Sequence, residues 1–393
     1  MNLDSLTTTP SARSLKWDVA AGELPMWVAD MDFEPPAAVR QALTQIAAQG
    51  PFGYANPQVG ELGEALAGWY AGRHEVDLEP SWTLFAPGVN AALGSILRTI
   101  TAPGEAVALL APAYHHFFHT AKSNGRAVAA SQMPCDGAAY QIDWADLEAK
   151  LAHGRTRAMI VCNPHNPTGQ LWEADTLARL GGLADKHGVT VITDEVHGDL
   201  TDPGSQYTPW LRACGQASAI MVTSPSKPFN LAGLQCAALV VPDPNLRQRL
   251  AAGLRRDELS QPNVFAVAGA VAAYREGAAW LDQVRAYIAA NRAFAEAELA
   301  RLAPGAKPLA ARSTYLLWID CRPRVADSIA FGQRLRRATG LVVDPGALFG
   351  PGGEGFIRLN LAAPRARLAD GVARLARALA LEGAAPPAWE SGQ

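Results

Sequence analysis

The feature that most constrains the fold of this chain is an alternation, from about residue 88 onward, of short apolar segments with longer helical segments. Segments 157–162, 189–193 and 219–223 are apolar runs of strand length, and 89–101 and 173–187 have helical character. Apolar strands that alternate with helices are typical of a parallel sheet buried on both faces. We therefore predict an α/β fold with a mostly parallel central sheet covered by helices.

Polar residues stand where three of these predicted strands end. Asn163 and Asn166 follow the first strand, Asp194 closes the second, and Ser224 and Lys227 follow the third. In open α/β sheets, ligands bind outside the carboxyl ends of the strands. The sequence therefore predicts that these side chains meet at one ligand site.

Lys227 is unusual because lysine is rare in this chain. Six of the 34 Lys and Arg residues are lysines, so a surface positive charge here is usually an arginine. One interpretation of Lys227 is a surface lysine between two turns. The other, which we favour from its place at the end of an apolar strand, is a reactive amine.

The chain changes character after about residue 262. A long helix is expected at 279–302. It is followed by a strand, a helix, a strand and a helix at 315–320, 328–339, 356–361 and 365–381. We predict a large domain of residues 50–280 and a smaller α/β domain built from residues 1–49 and 281–393. A helix at 35–49 is expected to pack with the smaller domain.

Charge and cysteine content narrow the class of protein. A formal net charge of -3 offers no electrostatic reason to expect nucleic acid or an acidic membrane as partner. No apolar run has the length of a membrane span, and the polar N-terminus does not resemble a signal peptide. Five scattered cysteines without a Cys-x-x-Cys pair fit a reducing cytoplasm. His115 and His119 are one helical turn apart but lack a third ligand at matching spacing, so we expect no metal.

Four motifs resemble those of the aminotransferase-like, fold-type I enzymes that use pyridoxal 5′-phosphate (PLP), in order and spacing, over nearly the whole chain. They are Asn163-Pro-His-Asn-Pro-Thr-Gly169, Asp194-Glu-Val-His197, Ser224-Pro-Ser-Lys227 and Arg358-Leu-Asn360. Three further segments resemble the cystathionine β-lyase, or carbon–sulfur β-lyase, branch of that family. They are Pro25-Met-Trp-Val-Ala-Asp-Met-Asp-Phe33, Phe52-Gly-Tyr54 and Gly355-Phe-Ile-Arg-Leu-Asn-Leu361. The resemblance implies the fold-type I architecture and PLP as cofactor.

This resemblance also implies roles around the cofactor ring. Lys227 would form an imine with PLP and, once released by substrate, act as the general base at Cα. Asp194 would pair with the pyridine nitrogen, and Asn166 would hydrogen-bond the 3′-oxygen. His197 stands where many transaminases have tyrosine. It is either a second partner of that oxygen or a structural histidine.

The phosphate is expected at the N-terminus of the helix that begins at Val89, where free N–H groups favour an anion. Candidate donors are the backbone N–H groups of Val89 and Asn90 and the side chains of Ser224 and Ser226. Many relatives add an arginine several residues after the lysine, but the segment 230–235 has none. We therefore expect this chain to bind the phosphate mainly through neutral donors.

Three further residues have implied roles, each with an alternative. Tyr114 would stack on the pyridine ring, or is a core aromatic. Tyr54 would reach the phosphate of the neighbouring subunit, or is a packing tyrosine. Arg358 would hold the substrate α-carboxylate, or belongs to a structural ion pair. The role of Tyr54 implies a homodimer with shared active sites.

The resemblance implies a small-molecule substrate that is an amino acid. Our first hypothesis is a carbon–sulfur β-lyase that cleaves cystathionine or related cysteine S-conjugates to a thiol, pyruvate and ammonia. The second is a PLP-dependent aminotransferase, which shares the first steps but requires a 2-oxo acid. The third is a PLP-binding regulatory protein with low turnover.

Overall fold

The fold is built around a seven-stranded sheet. The structure is a computed structural model that describes residues 3–4, 14–56, 59–215 and 219–382. Within these residues the strands are β1 (Leu24–Pro25), β2 (Thr83–Ala86), β3 (Ala106–Ala111), β4 (Ala127–Gln132), β5 (Thr156–Cys162), β6 (Thr190–Asp194), β7 (Ala219–Thr223), β8 (Ala237–Val240), β9 (Lys307–Pro308), β10 (Leu316–Asp320), β11 (Leu341–Val342), β12 (Asp344–Pro345) and β13 (Phe356–Asn360).

The helices lie mostly between these strands. They are α1 (Ala37–Gln49), α2 (Gly60–His74), α3 (Val89–Ile100), α4 (His115–Ser123), α5 (Trp144–Ala152), α6 (Ala174–Lys186), α7 (Trp210–Cys214), α8 (Pro244–Arg256), α9 (Ala266–Glu276), α10 (Ala278–Leu302), α11 (Ser328–Thr339) and α12 (Arg365–Leu381). Across the described ranges, no helix is both long enough and apolar enough to cross a bilayer.

The central sheet is mostly parallel, as the alternation of segments predicts. Its strand order is β2-β8-β7-β6-β5-β3-β4, and β8 alone runs against both of its neighbours. Successive residues of one strand face opposite sides of the sheet. Ile160 of β5 accordingly packs in a core with α3 and α8, whereas Met159 and Val161 pack in a core with α5 and α6. Helices therefore cover both faces.

Parallel pairing places the carboxyl ends of three strands side by side. Cys162 of β5 is in register with Asp194 of β6, and Asp194 is in register with Val222 of β7. The polar residues that follow these strands therefore emerge at one edge of the sheet. The predicted meeting of these strand ends is confirmed.

A second sheet forms the smaller part of the molecule. Its order is β12-β13-β10-β9, and β1 pairs in parallel with β11 beside it. The packing of α1 was predicted wrongly. This helix lies against α9, and its Val39 shares a core cluster with Ala266 and Ala270 of that helix. The division into residues 50–280 against the two termini stays a prediction.

Candidate active site

The polar strand ends surround a cavity of about 390 Å³. Nine of the predicted site residues line it: Val89, Asn90, Tyr114, Asn166, Asp194, His197, Ser224, Ser226 and Lys227. Two predicted residues, Tyr54 and Arg358, do not belong to this lining. The cavity therefore unites residues from 89 to 227 that lie far apart in the sequence.

Lys227 places its amine inside the cavity. Its Nζ donates a hydrogen bond of 2.6 Å to the carbonyl oxygen of Ala29. Burial, and then the positive charge of Arg358, lower the pKa of Lys227 to about 8, although the charges of Asp30 and Asp194 oppose the shift. An amine with this pKa is partly neutral near physiological pH, so it can accept a proton there.

Asp194 is buried at the carboxyl end of β6. One carboxylate oxygen accepts a hydrogen bond of 3.2 Å from the backbone N–H of Val196. Burial raises the pKa of Asp194 to about 6, while that hydrogen bond and the charge of Lys227 work in the opposite direction. Asp194 is thus a buried anion at neutral pH, and its charge favours a cationic ligand atom beside it.

Asn166 and His197 present polar atoms to the same cavity. Asn166 Oδ1 accepts a hydrogen bond of 3.0 Å from Arg358 Nη1, which leaves its amide hydrogens for another partner. His197 is buried, and its Nδ1 has no hydrogen-bond partner among the described residues. Burial, followed by the charges of Lys227 and Arg358, lowers the pKa of His197 well below its usual value, so the imidazole is neutral.

The N-terminus of α3 borders the cavity. Gly88 precedes the helix with a φ of 109°, and Gly88, Val89, Asn90 and Ala91 all line the cavity. The Tyr114 side chain hydrogen-bonds Asn90. These backbone N–H groups have the arrangement that binds an anion at a helix N-terminus.

Ser224 has a structural bond that the sequence did not indicate. Its hydroxyl donates a hydrogen bond of 2.6 Å to the carbonyl oxygen of Cys236. It also accepts a hydrogen bond of 3.1 Å from the backbone N–H of Ser226. Donation from Ser224 to a phosphate would require the Cys236 bond to break. Gln235, which sequence reasoning missed, also lines the cavity and has a φ of 53°.

Arg358, which belongs to β13, is buried next to Asn166. Its guanidinium donates to Asn166 and to the carbonyl oxygen of Trp27, forms an ion pair with Asp344, and stacks 4.8 Å from the ring centre of Phe349. An ion pair, one of the two interpretations of Arg358, is therefore present. Binding of a substrate carboxylate by Arg358 stays a prediction.

Tyr54 is outside the cavity of its own chain. The residue is 96% exposed, so it is not a packing tyrosine within its own chain, and its role toward a neighbouring subunit stays a prediction. Phe52, two residues earlier, is 61% exposed and contacts the ring of Phe265.

The segment 25–33 contributes a backbone atom that sequence reasoning did not assign. The carbonyl oxygen of Ala29 accepts from Lys227 Nζ and, at 2.9 Å, from the hydroxyl of Tyr315. Asn230 hydrogen-bonds Met31, and Asn360 hydrogen-bonds the carbonyl oxygens of Val28 and Asp30. The resemblance of segment 25–33 to the lyase branch indicated that the segment matters, but it did not point to the carbonyl oxygen of Ala29.

Comparison with known proteins agrees with this geometry. The model of the family described as aminotransferase class I and II matches residues 24–375. Cystathionine beta-lyase PatB of Bacillus subtilis is 39% identical over 388 residues, which cover 96% of this chain and 100% of PatB.

Two solved structures are similar over nearly the full length. A PLP-bound putative aminotransferase from Clostridium difficile has a TM-score of 0.92 at 29% identity, covering 96% of this chain and 99% of that one. A PLP-bound C-S lyase from Staphylococcus hominis has a TM-score of 0.91 at 26% identity, covering 96% and 98%. With the cavity at the strand ends and the family match over 24–375, the chain belongs to the aminotransferase class I and II family.

Proposed function

We propose that this protein is a PLP-dependent carbon–sulfur β-lyase that cleaves cystathionine or related cysteine S-conjugates to a thiol, pyruvate and ammonia. The observation that carries the proposal is the amine of Lys227, with a pKa of about 8, in a cavity that Asp194 also lines. The names of PatB and of the Staphylococcus hominis structure support the lyase reaction.

The residues of the cavity fit PLP. Asp194 supplies a buried anion for a protonated pyridine nitrogen, and the N-terminus of α3 supplies N–H groups for the phosphate. Asn166 has amide hydrogens to donate, and the buried Nδ1 of His197 has no hydrogen-bond partner within the described ranges. Of the described lining residues, Lys227 alone carries a full positive charge, which supports our proposal that neutral donors bind the phosphate.

The chemistry follows from these positions. When bound, PLP supplies an electron-accepting ring that stabilises negative charge at the substrate Cα. Lys227, as the neutral amine, removes the Cα proton. The electron pair of that C–H bond then forms the Cα–Cβ double bond as the Cβ–S bond breaks, and the sulfur leaves as a thiol with the proton that Lys227 accepted. Water hydrolyses the released three-carbon enamine to pyruvate and ammonia. Asp194 would keep the ring nitrogen protonated, because its negative charge favours a cationic atom beside it.

Arg358 is our proposed partner of the substrate α-carboxylate. It is buried next to Asn166, and its charge is felt by Lys227 and His197 in the cavity. A guanidinium recognises a carboxylate through two parallel hydrogen bonds. Tyr114 is our proposed partner of the ring face, because it lines the cavity beside Asn90.

We also propose a homodimer in which Tyr54 serves the neighbouring active site. The almost complete exposure of Tyr54 and the exposure of Phe52 support a partner surface at this place. The cytoplasm is our proposed compartment, because all five cysteines are free.

One assay tests the reaction. The purified protein is incubated with PLP and cystathionine without any 2-oxo acid, and pyruvate and the released thiol are measured. We expect both products in equal amounts. Turnover that begins only after a 2-oxo acid is added would refute the lyase proposal and favour an aminotransferase. Cofactor binding without turnover in either mixture would favour a regulatory protein.

A further inference from the structure

A carboxylate of the protein itself already contacts Arg358. In the antiparallel pair of β12 and β13, Asp344 is directly opposite Arg358. Both side chains are buried, and Asp344 Oδ2 accepts a charged hydrogen bond from Arg358 Nη2. Because the two strands fix this register, the fold itself holds the Asp344 carboxylate against Arg358.

The guanidinium has few free donors left. Nη2 donates to Asp344 and also, at 3.1 Å, to the carbonyl oxygen of Trp27. Nη1 donates to Asn166 at 3.0 Å. Nε has no partner in the portion of the chain that is described, although it is buried. A guanidinium has five N–H donors, so only Nε–H and the second hydrogen of Nη1 are unassigned.

These two hydrogens cannot bind both oxygens of one carboxylate, because they do not lie on the same edge of the guanidinium. A guanidinium presents two edges with parallel N–H donors, one formed by Nη1 and Nη2 and the other by Nε and Nη2. Both edges use Nη2, and both hydrogens of Nη2 are taken by Asp344 and Trp27. Two-point binding of a ligand carboxylate therefore requires Nη2 to give up one of these partners.

Asp344 is the partner that a carboxylate ligand would replace. It has the same chemical group as the ligand, and two carboxylates against one guanidinium repel each other. The Trp27 carbonyl oxygen is neutral and carries no such repulsion. The stacked ring of Phe349 covers one face of the guanidinium, so the ligand must approach along an edge.

We propose that Asp344 is a stand-in for the substrate carboxylate, and that an amino acid substrate displaces it from Arg358 on binding. The proposal rests on the role of Arg358 in the proposed function. In this proposal, Asp344 weakens the binding of any carboxylate to Arg358. Only ligands whose other contacts make up for this lost affinity then bind well. Asp344 is therefore a specificity-determining residue for the substrate end distant from the sulfur.

Titration calorimetry on the purified, PLP-loaded protein tests whether a ligand carboxylate competes with Asp344. The probe is methylthiopropanoate, which is S-methylcysteine without its amino group, so it binds without reacting. We expect Asp344→Asn to bind this carboxylate about tenfold more tightly than the unaltered protein, because the competing charge is gone. The corresponding amide, methylthiopropanamide, should bind both proteins equally.

Asp320→Asn is the matched control. Asp320 is also buried, belongs to the same small sheet and has its own arginine partner, Arg322. Its replacement should leave the affinity for methylthiopropanoate unchanged. Equal or weaker binding by Asp344→Asn, or no binding by either protein, would overturn the proposal.

A crystal structure of the unaltered, PLP-loaded protein with methylthiopropanoate gives a second measurement that needs no variant. We expect the ligand carboxylate on Arg358 Nη2 and Asp344 turned away from it. A bound ligand with Asp344 still on Nη2 would contradict the displacement. Neither measurement requires turnover, so a failure of cystathionine cleavage and a failure of this proposal are distinguishable.

Discussion

At the scale of single residues, burial acts in opposite ways on the two central groups of the cavity. It lowers the pKa of the Lys227 ammonium to about 8 and raises the pKa of the Asp194 carboxyl to about 6. Each shift favours the neutral form, because a charge is costly away from water. Between these two values Asp194 is ionised while a growing fraction of Lys227 is neutral, which is the combination that the proposed reaction needs.

Replacement of Lys227 by alanine is expected to abolish covalent cofactor attachment and most of the turnover. The visible absorbance band of the bound cofactor should disappear, and the rate should fall by about 10³-fold, in the range of a lost general base. Lys150→Ala is the control, since Lys150 forms a surface ion pair with Asp146. Persistence of the band in Lys227→Ala would refute the assignment of Lys227.

Asp194→Asn is expected to stabilise the protein when PLP has been removed. The folded protein keeps this carboxyl protonated up to about pH 6, whereas the unfolded chain ionises it near 3.8. The folded state therefore binds more protons between these values, and the native protein loses stability as pH rises through them. Asparagine removes that loss, so at pH 7 the gain should be about 3 kcal/mol.

Thermal unfolding at pH 4 and pH 7 measures the effect of Asp194→Asn, and the gain should shrink to about 0.5 kcal/mol at pH 4. Asp199→Asn is a control of opposite sign. Burial acts to raise the pKa of Asp199, but the hydrogen bonds of His74 and Trp69 and the nearby charges lower it overall, so neutralising Asp199 should cost stability at pH 7. A gain with both variants would show that buried charge in general, and not the Asp194 site, is responsible.

At the scale of secondary-structure elements, the strand ends supply the polar side chains of the site and the N-terminus of α3 supplies backbone N–H groups. Asn166 and Lys227 follow β5 and β7, Asp194 ends β6, and the first residues of α3 line the same cavity. The turn before α3 depends on Gly88, whose φ of 109° is a conformation that other residues rarely adopt. The proposed phosphate donors are therefore held in place by one backbone conformation.

Gly88→Ala is expected to weaken PLP binding about tenfold or more. A Cβ at this position meets no atom within 4 Å, so the change acts through backbone strain and not through a clash. That strain should also cost about 1–2 kcal/mol of stability. The dissociation constant for PLP and the unfolding temperature are the measurements.

Gly68→Ala is the matched control for Gly88→Ala. Gly68 lies within α2 with equally open space around its Cβ position, and its φ is not positive. Alanine should therefore preserve PLP binding and add a few tenths of a kcal/mol or more to stability. Equal PLP affinity in the two variants would contradict the role of the α3 turn.

At the scale of the whole molecule, the segment 25–33 connects the small sheet with the cavity. Leu24 and Pro25 pair with β11, Asn360 of β13 holds the carbonyl oxygens of Val28 and Asp30, and Ala29 contacts Lys227. A displacement of the small sheet would therefore move an atom that touches the proposed general base. Tyr54, in contrast, is almost fully exposed in its own chain.

Mixing two inactive variants tests the proposed shared sites. Tyr54→Ala and Lys227→Ala should each have little activity alone. In a mixed dimer, one site combines Lys227 of one chain with Tyr54 of the other, so random mixing should recover about a quarter of the unaltered activity. The rate after unfolding and refolding the mixture together is the measurement.

The control for this mixture is Asp194→Asn combined with Lys227→Ala. Both residues line the cavity of one chain, so no mixed dimer contains an intact site. Recovery in this control, or its absence in the Tyr54 mixture, would contradict the assignment of Tyr54 to the neighbouring site.

The sequence by itself determined the strands and the chemistry at their ends. The predicted segment 219–223 coincides with β7, and the predictions for β5 and β6 differ from the structure by one residue at the ends. Apolar periodicity and polar stops are local properties of the chain, and parallel pairing then requires Asn166, Asp194 and Lys227 to meet. The motifs added the family, which the match over residues 24–375 confirmed.

Tertiary structure alone decided which polar groups already have partners. The register of β12 against β13 places Asp344 on Arg358, and the fold brings the carbonyl oxygens of Cys236 and Ala29 to Ser224 and Lys227. It also placed α1 against α9, where the sequence had indicated the small domain. These contacts join residues distant along the chain, and a buried charge or hydroxyl takes whatever partner the packing brings to it. No local pattern encodes that choice.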